Sequence, residues 1–326
     1  MQTDIRLESI RHWLTHDLAL PLERLEPASA DASFRRYFRA SLGDGRSRVV
    51  MDAPPDKEDI GPYLRVSALL EGCGLHVPAV FAVDAPRGFI LLEDLGRTPL
   101  LTQLGAGTSP DRLYGSALDA LAMLQLRGGA AARELAPYDA PVLAREMALM
   151  PEWFLGRHLG LAPDAATSAM LEAAFTFLVR EALAQPRVFV HRDYHSRNLM
   201  VLPERSPGVI DFQDALEGPV GYDLVSLLKD CYVGWPRERV TGWVRGFRER
   251  LLAGGGAALA GSDDAQFLRW FDAIGLQRHI KVLGIFARLN WRDGKPGYLA
   301  DLPLTLAYVR EAAALFPELA AFPFGS

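Results

Sequence analysis

One stretch of the chain combines residue types that suit phosphoryl transfer. Residues 191–198 have the pattern H-x-D-x-x-x-x-N, and Asp211 follows thirteen residues after Asn198, at the end of the apolar run 208–210. In this pattern Asp193 would accept or orient a substrate hydroxyl, while Asn198 and Asp211 would offer oxygen ligands to Mg²⁺. Magnesium needs only one or two protein oxygens beside phosphate and water. The spacing therefore predicts one base and two metal ligands.

The apolar segments around this pattern predict how its members meet. Residues 187–190 lead into the loop as a strand, residues 199–202 leave it, and residues 209–210 return as a second strand after a turn. Such a hairpin brings Asp211 close to Asn198. Either aspartate alone is more often a turn cap or a strand end, so it is the complete set that favours a catalytic site.

The composition limits the class of protein. The chain has 326 residues, with 35 Lys and Arg against 40 Asp and Glu and a formal net charge of −5. This balance argues against a nucleic-acid surface but permits a local basic pocket for a small anion. The two cysteines, Cys73 and Cys231, fit a reducing compartment. A charged N-terminal segment, and the absence of any apolar run of about 20 residues, predict a cytoplasmic protein with no membrane association. No obligate protein partner is evident.

The order of the elements predicts an α+β chain with two lobes. A helix over residues 5–18 precedes β-rich sequence between residues 25 and 94, which a helix over residues 59–72 interrupts. Residues 1–95 would form a small nucleotide-binding lobe, and residues 96–326 a larger helical lobe for catalysis and substrate binding. The helices of the second lobe are predicted over residues 111–126, 142–159, 164–185, 222–232, 237–252, 263–286 and 302–316.

These features resemble the aminoglycoside phosphotransferase family of the protein-kinase-like fold. The resemblance covers nearly the whole chain and is most specific at residues 191–198, 209–212 and 220–224. It implies a bilobal kinase-like fold, ATP as co-substrate, Mg²⁺ as cofactor and Asp193 as the catalytic base. It also implies that Asp223 ties the catalytic loop in place, although an N-cap of the following helix is an equally good interpretation.

The resemblance implies a nucleotide site with one departure from the kinase pattern. Met51 stands where kinases carry a phosphate-contacting lysine, and Tyr63 stands where its glutamate partner is expected. Either another cation replaces the lysine, with Lys57, Arg36 and Arg48 as candidates, or the protein is a nucleotide-binding pseudokinase scaffold. The intact base and metal ligands favour an active enzyme. The residues expected to bind nucleotide are Ser33, Phe34, Arg36, Met51, Glu93, Asp94 and Leu95.

One branch of the family is more similar than the rest. Residues 32–39, 50–55 and 277–286 resemble bacterial kinases that phosphorylate the anomeric hydroxyl of N-acetylmuramate and N-acetylglucosamine in peptidoglycan recycling. The alternative is a kinase for another small hydroxyl compound, such as an aminoglycoside, choline or a homoserine-like molecule. A polycationic aminoglycoside needs an acidic pocket, whereas the segment from Arg278 to Arg288 is basic.

The acceptor pocket is expected between the catalytic loop and the late helices. Arg278 and Lys281 are three residues apart and share one helix face, which suits a carboxylate such as the lactyl group of a muramate. For any one of these charged residues, a solvated surface position is about as good an interpretation. The residues expected to bind the acceptor are Asp193, Glu146, Asp214, Arg278, His279 and Arg288.

Overall fold

The computed structural model describes residues 4–30, 34–256, 261–320 and 322. The N-terminal part begins with a helix and forms one antiparallel sheet, in the strand order β1-β2-β3-β5-β4. Its elements are helix α1 (Ile5–His12) with a π-helical continuation (Trp13–Asp17), strands β1 (Leu22–Ala30), β2 (Arg36–Leu42) and β3 (Ser47–Asp52), helix α2 (Gly61–Gly72), and strands β4 (Val80–Asp84) and β5 (Phe89–Glu93).

The two faces of this sheet pack against different partners, because successive strand residues point to opposite sides. Val50 of β3 lies in a cluster with Ile10 and Trp13, on the side of α1. Met51, the next residue, lies in the large cluster that includes Tyr63 of α2 and apolar residues of the second lobe. The Met51 face therefore looks towards the cleft between the lobes.

The second lobe is mostly helical, and short strands frame its loops. Its elements are helices α3 (Leu100–Gly105), α4 (Pro110–Arg127), α5 (Gly129–Ala132), α6 (Ala140–Met147), a π-helical segment (Met150–His158), α7 (Ala165–Leu183), strands β6 (Arg187–Val190), β7 (Leu199–Met200), β8 (Gly208–Val209) and β9 (Leu216–Pro219), helices α8 (Tyr222–Leu228), α9 (Arg237–Ala253) and α10 (Asp264–Trp291), a 3₁₀ turn (Pro296–Asp301), α11 (Leu302–Ala313) and a last 3₁₀ turn (Pro317–Leu319).

Two antiparallel strand pairs hold the loop that was singled out in the sequence. β7 pairs with β8, with Leu199 opposite Val209, as the hairpin prediction requires. β6 pairs with β9, which the sequence pattern did not predict. The loop over residues 191–198 thus leaves one strand pair and enters the other, so both of its ends are fixed.

Helix α10 is the central element of the second lobe. Every residue from Asp272 to Gly284 is buried, so the helix has no solvent face over this length. Gly284 allows a close approach to the chain at Leu149, since a Cβ atom there would lie 2.4 Å from the Leu149 carbonyl carbon. This contact brings α10 against the segment that follows α6. None of the described helices is both long and apolar enough to cross a membrane.

Several predicted helix ends differ from the structure. The helix predicted over residues 142–159 is two elements, α6 and the π-helical segment, and Pro151 lies at the start of the second, where its missing N–H disturbs the α-helical ladder. Helix α8 ends at Leu228 rather than at residue 232, and α10 continues to Trp291 rather than ending at residue 286.

Candidate active site

Two buried carboxylates hold the loop between β6 and β7. Asp223, at the start of α8, accepts hydrogen bonds from the backbone N–H groups of His191 at 2.6 Å and Arg192 at 2.9 Å. Arg192 has a positive φ of 77°, a backbone conformation that residues other than glycine rarely adopt. Asp230 accepts a third bond at 2.9 Å from the backbone N–H of Ser196. The loop backbone is therefore fixed from the side of α8.

Burial raises the pKa of Asp223 to about 7, although its two backbone N–H donors favour the ionised form. We expect Asp223→Asn to lower kcat about 10- to 100-fold, because an amide offers one oxygen where the carboxylate accepts two N–H groups, and the loop geometry relaxes. KM for ATP should change little. Steady-state kinetics at saturating Mg²⁺ measures this effect, and an unchanged kcat would show that the loop holds its geometry without this carboxylate.

The three residues with the predicted chemistry meet at the ends of the strand pairs. The Asn198 side chain donates from Nδ2 to the carbonyl of Asp193 at 3.0 Å and to Asp211 Oδ2 at 3.3 Å. Gln213 Nε2 donates to the other Asp211 oxygen at 3.0 Å. Asp211 has a positive φ of 65°, a strained conformation that costs about 1–3 kcal/mol and is concentrated at functional sites.

The donor set at Asn198 and Asp211 fits Mg²⁺. The Asn198 amide nitrogen faces Asp193 and Asp211, so its oxygen is the group left to face a metal ion. A carboxylate and an amide oxygen are hard ligands, and Mg²⁺ completes its shell with phosphate and water. The described residues contain no group of three or more His, Cys, Asp or Glu side chains that would form an all-protein cage. The pair therefore suits a metal shared with a nucleotide.

Asp193 lines a cavity on the side of the second lobe. Burial alone would raise the pKa of Asp193, but His195, Lys281 and Arg192 outweigh burial electrostatically and hold the pKa below its ordinary value. The carboxylate is therefore ionised at neutral pH, as a base requires. The walls of the cavity are Arg192, Asp193, His195, Tyr222, Cys231, Tyr232, Arg278, Lys281, Val282, Ile285 and Phe286.

Glu146 lies behind the cavity and binds two of its cations. Lys281 Nζ is 2.9 Å from Glu146 Oε1, and Arg192 donates to the same oxygen, while Tyr138 donates to the other. Lys281 also donates to Tyr222 at 3.0 Å. Burial would raise the pKa of Glu146, but the two cations hold it below its ordinary value. Glu146 thus orients the cationic wall and is itself buried.

The structure separates the other residues that were expected to bind the acceptor. Arg278 and Asp193 line the cavity together. His279 lies behind it, fully buried, where its Nε2–H donates to the Lys229 carbonyl at 2.9 Å. Arg288 is ten residues further along α10, about 15 Å from Arg278 along the helix axis. Asp214 is exposed, and its carbonyl accepts from Arg192 at 3.4 Å. Among these, Arg278 is the residue that lines the same cavity as Asp193.

The side chains of residues 93–95, at the end of β5 and just after it, contact the protein itself. Glu93 contacts His76 at 3.3 Å and accepts from the Ala79 N–H at 3.2 Å. Asp94 forms two hydrogen bonds with Arg39, at 2.7 and 3.0 Å. Leu95 is buried. Contacts from this segment to a nucleotide base would therefore come from the backbone, as expected for a kinase-like hinge.

Three further residues were expected to bind nucleotide: Ser33, Phe34 and Arg36. Ser33 lies outside the described residues. Phe34 is exposed, and its N–H donates to Glu58 at 3.1 Å. Arg36 lies on the α1 face of the sheet, where its Nε donates to the buried Asp52 at 2.9 Å. A side chain on that face is turned away from the cleft, which disfavours Arg36 among the three cations, Lys57, Arg36 and Arg48, that were candidates to replace the missing lysine.

Apolar contacts occupy the place of the kinase Lys–Glu pair. Met51 is fully buried and belongs to the same cluster as Tyr63 and Phe212, the residue after Asp211. The rings of Tyr63 and Phe212 have centroids 4.8 Å apart. Helix α2 thus packs through Tyr63 against the segment that carries Asp211. Arg48 is not at this place either, since its guanidinium lies 4.2 Å from the Phe81 ring centroid.

Sequence reasoning missed some residues of the site. Arg192 was treated as an unassigned position of the loop pattern, and Tyr222 and Cys231 were not considered as cavity walls. Asp230, which holds the loop, carried no motif. The spacing of Arg278 and Lys281 was the one available signal for the cationic wall, while the partner of that wall, Glu146, is far away in sequence.

The chain and its fold are similar to known proteins. The model of a phosphotransferase enzyme family matches residues 24–271. The chain belongs to this phosphotransferase family. The phosphotransferase is 48% identical to an N-acetylmuramate/N-acetylglucosamine kinase of Pseudomonas aeruginosa, over 98% of this chain and 96% of the relative. It is 44% identical to the kinase of the same name from Pseudomonas putida, over 97% of this chain and 94% of the relative.

A solved structure extends this agreement to the fold. An ADP-bound aminoglycoside phosphotransferase superposes on this phosphotransferase with a TM-score of 0.58, at 16% identity, covering 95% of this chain and 99% of the other. Such low identity shows a shared fold alone. The predicted α+β kinase-like fold and the predicted family are both confirmed.

Proposed function

We propose that this phosphotransferase is an ATP-dependent kinase that phosphorylates the anomeric hydroxyl of N-acetylmuramate and N-acetylglucosamine. The observation that carries the proposal is the cavity in which Asp193 faces a wall containing Arg278 and Lys281, in a chain similar over almost its whole length to kinases of that name. A cationic wall disfavours aminoglycosides and choline, which are cations, and favours a neutral or anionic acceptor.

The acceptor chemistry suits Asp193. An anomeric hydroxyl is more acidic than an ordinary alcohol because the ring oxygen withdraws electrons. A carboxylate with a low pKa is a weak base, so it orients O1 and takes its proton late, as the bond from O1 to the γ-phosphorus forms and the bond from that phosphorus to the β–γ bridging oxygen breaks. The products are the sugar 1-phosphate and ADP.

The nucleotide would lie between the lobes. The backbone of residues 93–95 would contact the base, and Phe34 with its neighbours would cover the phosphates. Asn198 and Asp211 would hold Mg²⁺, whose charge offsets the negative charge of the β- and γ-phosphates. With Met51 in the core and Arg36 on the opposite sheet face, metal charge and backbone groups would carry the role of the usual lysine.

The structure favours an enzyme over a pseudokinase scaffold. Asp211 has a strained backbone conformation, and the Asn198 side chain donates a hydrogen bond to the Asp211 carboxylate. Neither feature is needed merely to fold a hairpin, and strained residues are concentrated at functional sites. The two free cysteines, Cys73 and Cys231, are buried, which fits a reducing compartment supplied with ATP. We therefore place the enzyme in the cytoplasm, where it would return cell-wall amino sugars to the precursors of peptidoglycan.

Phosphorus NMR of the reaction product tests this function. After incubation with ATP, Mg²⁺ and N-acetylmuramate, with N-acetylglucosamine in parallel, we expect a new phosphate signal coupled to the anomeric proton. The matched control omits Mg²⁺ and should give no product. A phosphate on another hydroxyl would overturn the acceptor site, and nucleotide binding without any sugar product would favour a different acceptor or the scaffold.

A further inference from the structure

Arg278 is a buried cation that forms no ion pair with any described residue. The residue has a relative exposure of 5%, and it lines the same cavity as Asp193. Its polar contact is Cys231, whose sulfur lies 3.7 Å from Nη1. Within the described parts of the chain, no carboxylate forms an ion pair with it, although Asp193 and Asp230 attract it from further away. Proteins rarely bury a charge in this way unless a ligand completes the pair.

The other two cations of the cavity are already compensated. Lys281 and Arg192 both bind Glu146, and Lys281 has a further partner in Tyr222. A ligand carboxylate that approached either of them would compete with a buried glutamate. Arg278 has no such competitor, so an anionic group entering the cavity would find its uncompensated charge there.

We propose that Arg278 is the receptor for the lactyl carboxylate of N-acetylmuramate and sets the preference for this sugar over N-acetylglucosamine. The inference rests on the proposed function. N-acetylmuramate differs from N-acetylglucosamine by a lactyl ether on O3, and its carboxylate is ionised at neutral pH. A guanidinium binds a carboxylate through two parallel N–H donors, which provides both affinity and orientation.

The position of Arg278 favours the acceptor over the transferred phosphoryl group. All walls of the cavity come from residue 192 onwards, and they include neither Asn198 nor Asp211, which would hold the metal on the nucleotide side. Arg278 lies on α10 beside Val282 and Cys231, on the second-lobe side of Asp193. A group bound there would belong to the acceptor.

Kinetics with both sugars test this role. We expect Arg278→Gln to lower kcat/KM for N-acetylmuramate about 100-fold, the loss of a charged bidentate contact, and to leave kcat/KM for N-acetylglucosamine within about threefold. Arg278→Lys keeps the charge and should lose about 10-fold on N-acetylmuramate alone. The control is Arg292→Gln, an exposed arginine near the end of the same helix that pairs with Asp293 and should behave as wild type.

Thermal shift without ATP separates binding from catalysis. N-acetylmuramate should raise the Tm of the wild type more than N-acetylglucosamine does, and this difference should vanish in Arg278→Gln. Without sugar, Arg278→Gln should melt at the wild-type Tm or above, because it removes an uncompensated buried charge. A marked fall in Tm would instead assign Arg278 a structural role and overturn the proposal.

The outcomes distinguish the two hypotheses. Equal losses on both sugars would mean that Arg278 acts on the phosphoryl group or on the loop, which would overturn the carboxylate role while keeping the kinase. Unchanged kinetics of Arg278→Gln on N-acetylmuramate would also overturn the carboxylate role and keep the kinase. If the wild type neither binds nor phosphorylates either sugar, the proposed function itself fails, and the role of Arg278 fails with it.

Discussion

Replacing Asp193 by Asn is expected to lower kcat at least about 1000-fold on either sugar, with nucleotide affinity within about threefold of wild type. The amide keeps the shape of the side chain but accepts no proton from O1, and base catalysis typically contributes 10²- to 10⁴-fold, so about 1000-fold lies within that range. ADP release measures turnover, and calorimetric titration with ATP and Mg²⁺ measures binding. The nucleotide should bind because Asp193 lines the acceptor cavity.

The control for this prediction is Asp119→Asn. Asp119 is an exposed aspartate of α4 that pairs with Arg250 at 2.7 Å, and its loss should leave turnover unchanged. Near-normal turnover by Asp193→Asn would remove Asp193 from the mechanism. A parallel loss of nucleotide binding would show that the substitution disturbs the whole loop rather than one proton transfer.

Asp211→Asn should lower activity about as much as Asp193→Asn does, but for a different reason. Asparagine tolerates the left-handed backbone that Asp211 adopts, so the loop should persist while the metal site loses its carboxylate. We expect kcat/KM for ATP to fall at least about 1000-fold, since the metal charge supports phosphoryl transfer directly. In the wild type Mg²⁺ should tighten nucleotide binding, and in the variant this effect should disappear.

Titrating ATP with and without Mg²⁺ distinguishes this result from that for Asp193→Asn. The Asp193 variant should keep the magnesium effect on binding, and the Asp211 variant should lose it. If Asp211→Asn retains a full magnesium effect, the metal is held by other groups. The Asp119→Asn variant again serves as the control, because it changes the same formal charge at a surface position.

Local sequence patterns were enough to predict the strand pairing beside residues 191–198. Asn198 and Asp211 flank the β7–β8 hairpin, and the pairing of Leu199 with Val209 brings them together. Asp193 lies in the loop before this hairpin, and the more distant Asp223 and Asp230 hold the backbone of that loop. The alternation of side chains along β-strands likewise places Arg36 and Met51 on opposite faces of the sheet. It does not say which of the two faces looks into the cleft. That face is decided by the position of α1 and α2.

The nucleotide residues show where sequence reasoning fails. Arg36 was a reasonable substitute for the missing lysine by charge and by proximity in the chain. The structure pairs it with Asp52 on the other side of the sheet. Tyr63 was recognised as a departure from the kinase glutamate, but its stacking on Phe212 depends on how α2 sits against the second lobe.

The sequence by itself determined the family, the kinase-like fold and the three residues for which a base and two metal ligands were predicted, because that information lies in short-range spacing and strand pairing. Only the tertiary structure decided which residues line the cavity beside Asp193. Glu146 meets Arg192 across 46 residues and Gln277 across 131 residues, and these contacts form only when α6, the loop and α10 pack together. No local pattern distinguishes Arg278, which forms no ion pair among the described residues, from Lys281, because the partner of Lys281 comes from a distant helix.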